Sequence, residues 1–288
     1  MATQPSPHNL KSKDVPIFEL IKENGIQGIK ILNWTITSRK QPILDSAEIT
    51  RDSAILGIPL PEMMFGNNHL LLEHSQGFSY TFKALDALKR VGNSAESAGL
   101  ISVAYAQHWT EKRDKTQDVK GVINPFDWTY TTNYDGTQVS SNFAFHNTTK
   151  TIDIEKLKNP EPILFYDHLV LYEDELADNG SAILSVKIRV MPSGFFILQR
   201  FFLRVDDVLF RVNDTRIYHA FDTSYLIKEY TSQEEPYIGI RKKIPTWKKD
   251  DISLLSDPNW VVSVMPGPDP SLTRIEIVEL DPSQQTKA

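Results

Sequence analysis

The stretch that decides the fold is residues 184–219, which read LSVKIRVMPSGFFILQRFFLRVDDVLFRVNDTRIYH. Val186, Ile188 and Val190 alternate with polar side chains, a period of two that is typical of a half-buried β-strand. Residues 191–194 interrupt this strand, because proline cannot donate a ladder hydrogen bond and glycine favours a turn. Two further apolar runs follow, so the stretch predicts an antiparallel β-meander.

The last hairpin of this meander is predicted to turn at Asp206 and Asp207, with the turn type left open because Asp-Gly would be the stronger signal. The predicted pairs are Val205 with Val208, Leu203 with Phe210, and Phe201 with Val212. This register makes one face wholly apolar and places every charge on the other face, which favours it. The charged face carries Arg200, Phe202, Arg204, Leu209, Arg211 and Asn213.

The arginines of this face have two interpretations. They can belong to a solvated sheet face, with their aliphatic stems covering apolar rings. They can also form a cationic strip that captures a carboxylate or an acidic peptide, which the fork geometry of the guanidinium suits. The alternation of apolar and polar residues is compatible with both interpretations.

Composition limits the possible functions. The chain has 288 residues, 40% of them hydrophobic, and a net charge of −6, which argues against nucleic acid as the main partner. It has no cysteine, so disulfides, thiolate metal sites and a cysteine nucleophile are excluded. No apolar run approaches the ~20 residues that span a bilayer, and the N-terminus has no apolar signal region, so we expect neither membrane insertion nor secretion.

The whole chain predicts an α+β fold, mainly antiparallel β-sheets in a meander or sandwich-like arrangement, with several helices mostly in the N-terminal half. A capping box at Asp45 and Glu48 predicts one helix that Gly57 ends, and further helices are predicted from Thr81 to Gly92 and over residues 98–113. The predicted organisation has three parts: a flexible tail (1–28), a single domain (29–232), and a poorly patterned extension, partly disordered or docked (233–288).

Motifs for catalysis are missing from the sequence. It has no Gly-x-Ser-x-Gly elbow, phosphate loop or Rossmann glycine signature. His69 and His74 are five residues apart, which suits neither one helix face nor one strand face. We therefore predict no catalytic residue, cofactor or metal, and keep as a weak alternative a metal-dependent hydrolase that uses the acidic run at residues 173–175.

Several long segments together resemble the TIPRL family, the TOR signalling pathway regulators that include the yeast Tap-interacting protein. The similarity covers roughly residues 30–232, in family order, and we expect a fungal member. The matching segments are LPEMMFGNN (60–68), DAL (86–88), PFDWTYTT (125–132), YEDEL (172–176), nearly all of 184–219, and EYTS (229–232). Asp207 departs from the glycine expected in the family's hairpin, which affects only the turn geometry.

This resemblance implies a non-enzymatic regulator that binds catalytic subunits of type 2A protein phosphatases and the Tap-type adaptor, and that acts in TOR nutrient signalling. It implies a mainly cytosolic protein with some nuclear presence, with no nucleic-acid or membrane partner. A peptide-binding chaperone for immature phosphatase subunits is the alternative, and it predicts tolerance of unrelated acidic tails.

The resemblance also suggests where the phosphatase binds. Such phosphatases end in an acidic and aromatic tail with a free carboxylate, and a groove beside the meander can pair with it. A second contact, through two aspartates, is expected to meet basic surface near the phosphatase active site. The predicted partner-binding residues are Lys187, Arg189, Arg200 and Arg204 in the groove, Asp86 and Asp214 in the second contact, and Trp128 and Arg216 in the matching segments.

Overall fold

The computed structural model describes residues 15–91, 127–246 and 252–281. The strands are β1 (Phe18–Glu23), β2 (Ile26–Ile31), β3 (Trp34–Arg39), β4 (Met63–Met64), β5 (His69–His74), β6 (Ser79–Lys83), β7 (Thr137–Gln138), β8 (His146–Asn147), β9 (Phe165–Asp174), β10 (Gly180–Met191), β11 (Gly194–Val205), β12 (Leu209–Ala220), β13 (Tyr225–Pro236) and β14 (Arg274–Glu279). The α-helices of the described residues are α1 (Ser46–Leu56), α2 (Ala84–Leu88), α3 (Ile154–Lys158), α4 (Tyr237–Arg241) and α5 (Pro258–Val264).

The strands form two antiparallel sheets. The six-stranded sheet has the order β1-β2-β3-β5-β6-β7, and the eight-stranded sheet has the order β4-β9-β10-β11-β12-β13-β14-β8. One buried cluster contains side chains from both sheets, among them Ile36 and Leu72 from the first and Leu184 and Phe201 from the second. The inner faces of the sheets therefore share one core, and the predicted α+β fold with mainly antiparallel sheets is confirmed.

The alternation in the deciding stretch appears directly as strand β10. Val186, Ile188 and Val190 lie on the inner face and are buried, whereas Lys187 and Arg189 lie on the outer face and are partly exposed. Residues 192 and 193 form the turn, because Met191 pairs with Gly194. The consecutive strands β9 to β13 are neighbours in the sheet, so the predicted meander is confirmed.

The predicted register of the last hairpin is wrong by one residue. Val205 pairs with Leu209 rather than Val208, because the loop has three residues and Asp207 adopts a left-handed conformation with φ +58°. A shift of one residue moves every side chain of a strand to the other face. Thus Phe210 and Val212 lie on the outer face, and Arg211 and Asn213 turn inward.

The inward turn of Arg211 separates it from the other meander arginines. Its guanidinium pairs with Glu234 at 2.6 Å and donates to Thr131 Oγ1 at 3.2 Å. The expectation that all charges share one face of the hairpin is therefore wrong. Arg211 therefore points to the inner face and pairs there with Glu234, whose side chain is 37% exposed.

Helix α1 forms as its capping signals predict. The Asp45 carboxylate accepts from the Ala47 and Glu48 N–H groups, both at 2.9 Å, and the Glu48 carboxylate accepts from the Asp45 N–H at 3.0 Å. Gly57 ends the helix with φ +70°, a conformation in which glycine carries no Cβ penalty.

The other helix predictions are not confirmed as they were made. Thr81 lies within strand β6 rather than capping a helix, so the predicted helix is reduced to α2. The helix predicted over residues 98–113 lies outside the described residues. A concentration of helices in the N-terminal half is not confirmed, since α3, α4 and α5 all lie in the C-terminal half of the described chain.

The sheets also extend beyond the predicted domain limits of 29 and 232. Strand β1 and the start of β2 lie within the segment assigned to the flexible tail, where β1 pairs with β2 along its full length. After residue 232, helices α4 and α5 cover part of the outer face, and β14 pairs with β13. The described residues of these segments supply apolar side chains or backbone hydrogen bonds to a sheet.

One buried histidine, His219, is expected to lower the free energy of unfolding as the pH falls. Burial lowers the pKa of His219 to about 4 and outweighs the hydrogen bond to the Tyr225 carbonyl, whereas an unfolded histidine has a pKa of about 6.5. The contribution of His219 is therefore fully present above pH ~6.5 and is lost as the pH falls toward its folded pKa. Between pH 7.5 and 5 this loss is roughly 2 kcal/mol, so His219→Phe is expected to reduce the pH dependence of urea unfolding by that amount.

The control for this prediction is His146→Phe, because His146 is exposed on β8. The same dependence on pH in wild type and His219→Phe would contradict the assignment.

Candidate functional site

A groove lies on the outer face of the eight-stranded sheet, between strands β9 to β11 and helix α5. It encloses about 220 Å³. Its polar lining consists of His168, Glu173, Ser185, Lys187, Arg200 and Asn259, and its apolar lining consists of Val170, Ile183, Leu198, Phe202 and Pro258. We call this the outer groove. It places two of the four predicted groove cations, Lys187 and Arg200, beside an apolar floor.

The register of the sheet explains which side chains reach this groove. Ser185 lies opposite Arg200, and Lys187 lies opposite Leu198 on β11 and opposite His168 on β9. Directly opposed residues of an antiparallel pair point to the same face, so the groove collects the outward-facing residues of three adjacent strands. A register shift opposite Leu184 and Ser185 brings Glu173 to this face as well.

Arg200 is already engaged by a carboxylate of the same chain. Its Nε and Nη2 atoms donate to the two oxygens of Asp214, both at 2.7 Å, and its Nη1 donates to Asn259 Oδ1 at 3.1 Å. Asp214 is completely buried, and Arg216 Nη2 lies 3.7 Å from it. Arg200 thus neutralises Asp214 and holds the start of α5, and Arg216 is drawn to the same carboxylate.

Arg204 is also used within the chain. Its Nη1 donates to the Ser256 hydroxyl on the 3₁₀ turn Ile252–Ser256, and its Nε lies 2.9 Å from Asp206 Oδ1. Three of the predicted cations therefore have partners within the chain: Arg200, Arg204 and Arg216.

Lys187 and Arg189 remain without a carboxylate partner in the described chain. Lys187 is partly exposed and makes no ion pair there, while Arg189 makes one long hydrogen bond of 3.5 Å to the Leu157 carbonyl. The Nε of Arg189 is buried without an acceptor. Lys187 also contributes to the lowered pKa of His168, after the larger effect of burial. Lys187 and Arg189 therefore place two positive charges, with no carboxylate partner among the described residues, on the same side of the outer face.

The acidic run at residues 173–175 is split by the sheet. Glu173 reaches the groove, where burial, and then the nearby Glu175, raises its pKa. Asp174 points inward and accepts from the Glu62 N–H at 3.0 Å and the Leu176 N–H at 2.7 Å. The run therefore does not present three carboxylates to one site.

The predicted second contact is not assembled as one surface. Asp86 lies on α2, where its carboxylate meets Lys89 at 3.1 Å and the Thr137 hydroxyl at 3.0 Å. Asp214 has no exposed surface and lies on β12 of the eight-stranded sheet. Trp128 is partly buried and packs against the main core. Asp86 and Trp128 do not line the outer groove.

An interaction that local sequence reasoning missed is centred on Asp135. Arg90 pairs with this residue at 2.8 Å, although its spacing on the chain predicts a surface pair with Asp86. Lys228 reaches Asp135 at 3.0 Å, and Arg274 lies 3.7 Å away. Asp135 precedes Gly136, which locally indicates a hairpin turn, so the sequence carries no signal for this charge cluster.

The described residues set two further limits on function. They contain no group of three or more His, Cys, Asp or Glu side chains placed to hold a metal ion. Nor does any of their helices have the length and apolarity to cross a membrane.

The fold and the groove define a class: a two-sheet α+β protein with a candidate recognition groove on an outer sheet face. A family model described as TIP41-like matches residues 63–241. The TIP41-like protein of Homo sapiens is 45% identical over 236 residues, which cover 81% of this chain and 83% of that protein. The chain therefore belongs to the TIP41-like family, as the sequence resemblance indicates.

Fungal relatives carry a more specific name. The Saccharomyces cerevisiae protein named type 2A phosphatase activator TIP41 is 44% identical over 258 residues, covering 83% of this chain and 71% of that protein. The Schizosaccharomyces pombe protein of the same name is 37% identical over 228 residues, covering 79% and 89%. Because the human and budding-yeast identities are nearly equal, a fungal origin stays a prediction.

Proposed function

We propose that this chain binds catalytic subunits of type 2A protein phosphatases and regulates them as a non-enzymatic partner. The observation that carries the proposal is the pair Lys187 and Arg189, which meet no carboxylate among the described residues and lie beside an apolar groove. The names of the two yeast relatives support a phosphatase-regulating role. Association with a Tap-type adaptor, a role in TOR nutrient signalling, and a cytosolic location with some nuclear presence are part of the same proposal.

The outer groove suits the acidic, aromatic C-terminal tail of such a phosphatase. Val170, Ile183 and Leu198 offer an apolar floor for an aromatic ring, and Lys187 offers a charge for a carboxylate. Charge-assisted hydrogen bonds to a carboxylate are about twice as strong as neutral ones. Glu173 at the acidic side of the groove disfavours a second carboxylate there, which gives the bound tail one direction.

Charge reversal at Lys187 is expected to weaken phosphatase binding at least tenfold, about 1.4 kcal/mol, without changing the thermal unfolding midpoint. Lys187 makes no internal ion pair in the described chain, so its replacement leaves no buried charge behind. Binding of Lys187→Glu and Arg189→Glu to a type 2A catalytic subunit is measured by surface plasmon resonance, beside circular dichroism melts.

The matched control is Lys158→Glu, an exposed lysine on α3 whose partner is the nearby Glu155. Wild-type affinity in both Lys187→Glu and Arg189→Glu would show that the groove is not the phosphatase site. Asp86→Lys, tested in parallel, decides whether Asp86 contributes a separate contact. Equal binding of an unrelated acidic tail would favour the chaperone alternative.

A further inference from the structure

Three basic side chains lie side by side on the outer face of the six-stranded sheet, on three adjacent strands. His69 on β5 is directly opposite Arg39 on β3 and directly opposite Lys83 on β6. Directly opposed residues of antiparallel strands point to the same face, with Cα atoms about 4.5–5.5 Å apart. The neighbouring residues Leu70 and Phe82 are completely buried, so the three basic side chains face away from the core. We call them the basic row.

The basic row is not neutralised in the part of the chain that the structure describes. Arg39 and Lys83 are exposed and make no ion pair with a carboxylate there. Burial lowers the pKa of His69, a hydrogen bond to the Asn67 backbone opposes this effect, and the charges of Lys83 and Arg39 lower the pKa further. Like charges directly opposite each other destabilise a sheet, so an anion bound between these side chains would remove a repulsion.

Two carboxylates of neighbouring elements do not take this role. Glu23 lies on β1, two strands away from Arg39, which corresponds to about 10 Å across a sheet. Asp86 on α2 pairs with Lys89 at 3.1 Å and accepts from the Thr137 hydroxyl at 3.0 Å. Neither carboxylate forms an ion pair with the basic row.

The surface beside the basic row limits the ligand. Two residues further along the same three strands lie Thr37, Leu71 and Thr81, which are uncharged and at least partly buried. Glu73 follows on the same face, two residues beyond Leu71, and is exposed. One anionic group therefore meets three basic side chains, and an uncharged part attached to it lies over uncharged surface. A second anionic group would approach Glu73, which disfavours it.

We propose that the basic row binds a single phosphate monoester, such as a phosphorylated serine or threonine side chain of another protein. The three terminal oxygens of this group accept hydrogen bonds from Arg39, His69 and Lys83. The planar fork of arginine suits phosphate geometry, and lysine binds phosphate as a point charge. The proposal does not rest on phosphatase binding, because none of these three residues lines the outer groove.

The test uses three probes: phosphoserine with neutral capping groups, the same capped serine without phosphate, and inorganic phosphate. Each is titrated into the full chain labelled with ¹⁵N at pH ~7.5, where phosphate carries nearly two charges, and at low ionic strength, because salt screens exposed charges. The backbone amide resonances of Arg39, His69 and Lys83 are followed.

Phosphoserine is expected to shift these resonances saturably, the unphosphorylated serine to leave them unchanged, and inorganic phosphate to bind at least threefold more weakly. No saturable shift with phosphoserine overturns the proposal. Equal affinity for inorganic phosphate would identify a site for the free ion and overturns the assignment of an ester.

Single-charge variants test whether the basic row itself holds the phosphate. Arg39→Gln and Lys83→Gln are each expected to weaken phosphoserine binding roughly fivefold, which corresponds to about 1 kcal/mol. Their thermal unfolding midpoints are expected to equal or exceed that of wild type, because each variant removes a repelled charge. The matched control is Lys30→Gln, an exposed lysine on the same face that lies 3.9 Å from Glu19. Wild-type affinity in Arg39→Gln and Lys83→Gln, or an equal loss in Lys30→Gln, overturns the proposal.

Discussion

Replacing Asp135 by alanine is expected to lower the free energy of unfolding by about 3–5 kcal/mol, the cost of breaking a buried ion pair from one side. The Asp135 side chain is 11% exposed and meets Lys228, which is 7% exposed, at 3.0 Å. Lys228 also meets Glu276 at 3.0 Å, so one counterion remains in the variant. The loss arises because Lys228 and Arg90 stay near a site from which their shared carboxylate has been removed.

The titration of Asp135 supports this expectation. Burial alone would raise its pKa, but the attraction of Lys228 and Arg90 outweighs burial and lowers it. The carboxylate therefore stabilises the fold above its unfolded pKa of about 3.9, and this contribution is lost as the pH falls through the lower folded pKa.

Urea unfolding at pH 7 measures the effect. The control is Asp222→Ala, which removes an exposed carboxylate paired with Lys156 and is expected to change stability by less than about 1 kcal/mol. Similar losses in Asp135→Ala and Asp222→Ala would contradict a special role for the buried cluster.

Replacing Arg200 by alanine is expected to cost about 3–5 kcal/mol as well, because it leaves the fully buried Asp214 carboxylate without its bidentate partner. The variant also loses the hydrogen bond to Asn259 at the start of α5. Arg216→Ala is the matched control, since its guanidinium lies 3.7 Å from the same carboxylate and is more exposed. Its expected cost is about 1 kcal/mol or less.

A double variant isolates the buried charge as the cause. Arg200→Met combined with Asp214→Leu removes both charges, and such replacements are often neutral or stabilising. We expect the double variant to recover most of the stability that Arg200→Ala loses in urea unfolding. A double variant as unstable as Arg200→Ala would show that the loss comes from packing around α5.

A loss of fold stability must be separated from a loss of binding contacts when Arg200 and Lys187 variants are tested for phosphatase binding. Arg200 lines the outer groove beside Lys187, so a loss of phosphatase binding in either variant looks the same in a pull-down. Arg200 supports the fold through Asp214, whereas Lys187 pairs with no carboxylate in the part of the chain that the structure describes. Stability and affinity must therefore be measured on the same variants.

Local sequence signals predict much of the architecture. The alternation at Val186, Ile188 and Val190 places β10 and its inner face correctly, because a strand with one buried side leaves little choice of face. The capping box at Asp45 and the glycine at position 57 delimit α1, because both satisfy backbone groups within one helical turn. The family resemblance indicates the same fold class.

The partners of the charged side chains follow from no local pattern. A three-residue loop at Asp207, in place of the two-residue loop, turns Arg211 inward and sends Phe210 to the outer face. Neither the solvated-face nor the cationic-strip interpretation of the arginines predicts that Arg200 pairs with Asp214 of the same chain. Asp214 pairs with Arg200, whereas Lys187 meets no carboxylate within residues 15–91, 127–246 and 252–281.

By itself, the sequence determined the meander, the inner face of β10, the cap of α1 and the family. The tertiary structure alone decided the partners of the charged side chains: Asp135 and Lys228 are 93 residues apart, and Arg200 donates to Asn259, 59 residues away. Periodicity depends on neighbours along the chain, so it is readable locally. Ion pairs depend on side chains that only chain closure and strand register bring within 3 Å, and a shift of one residue redistributes them.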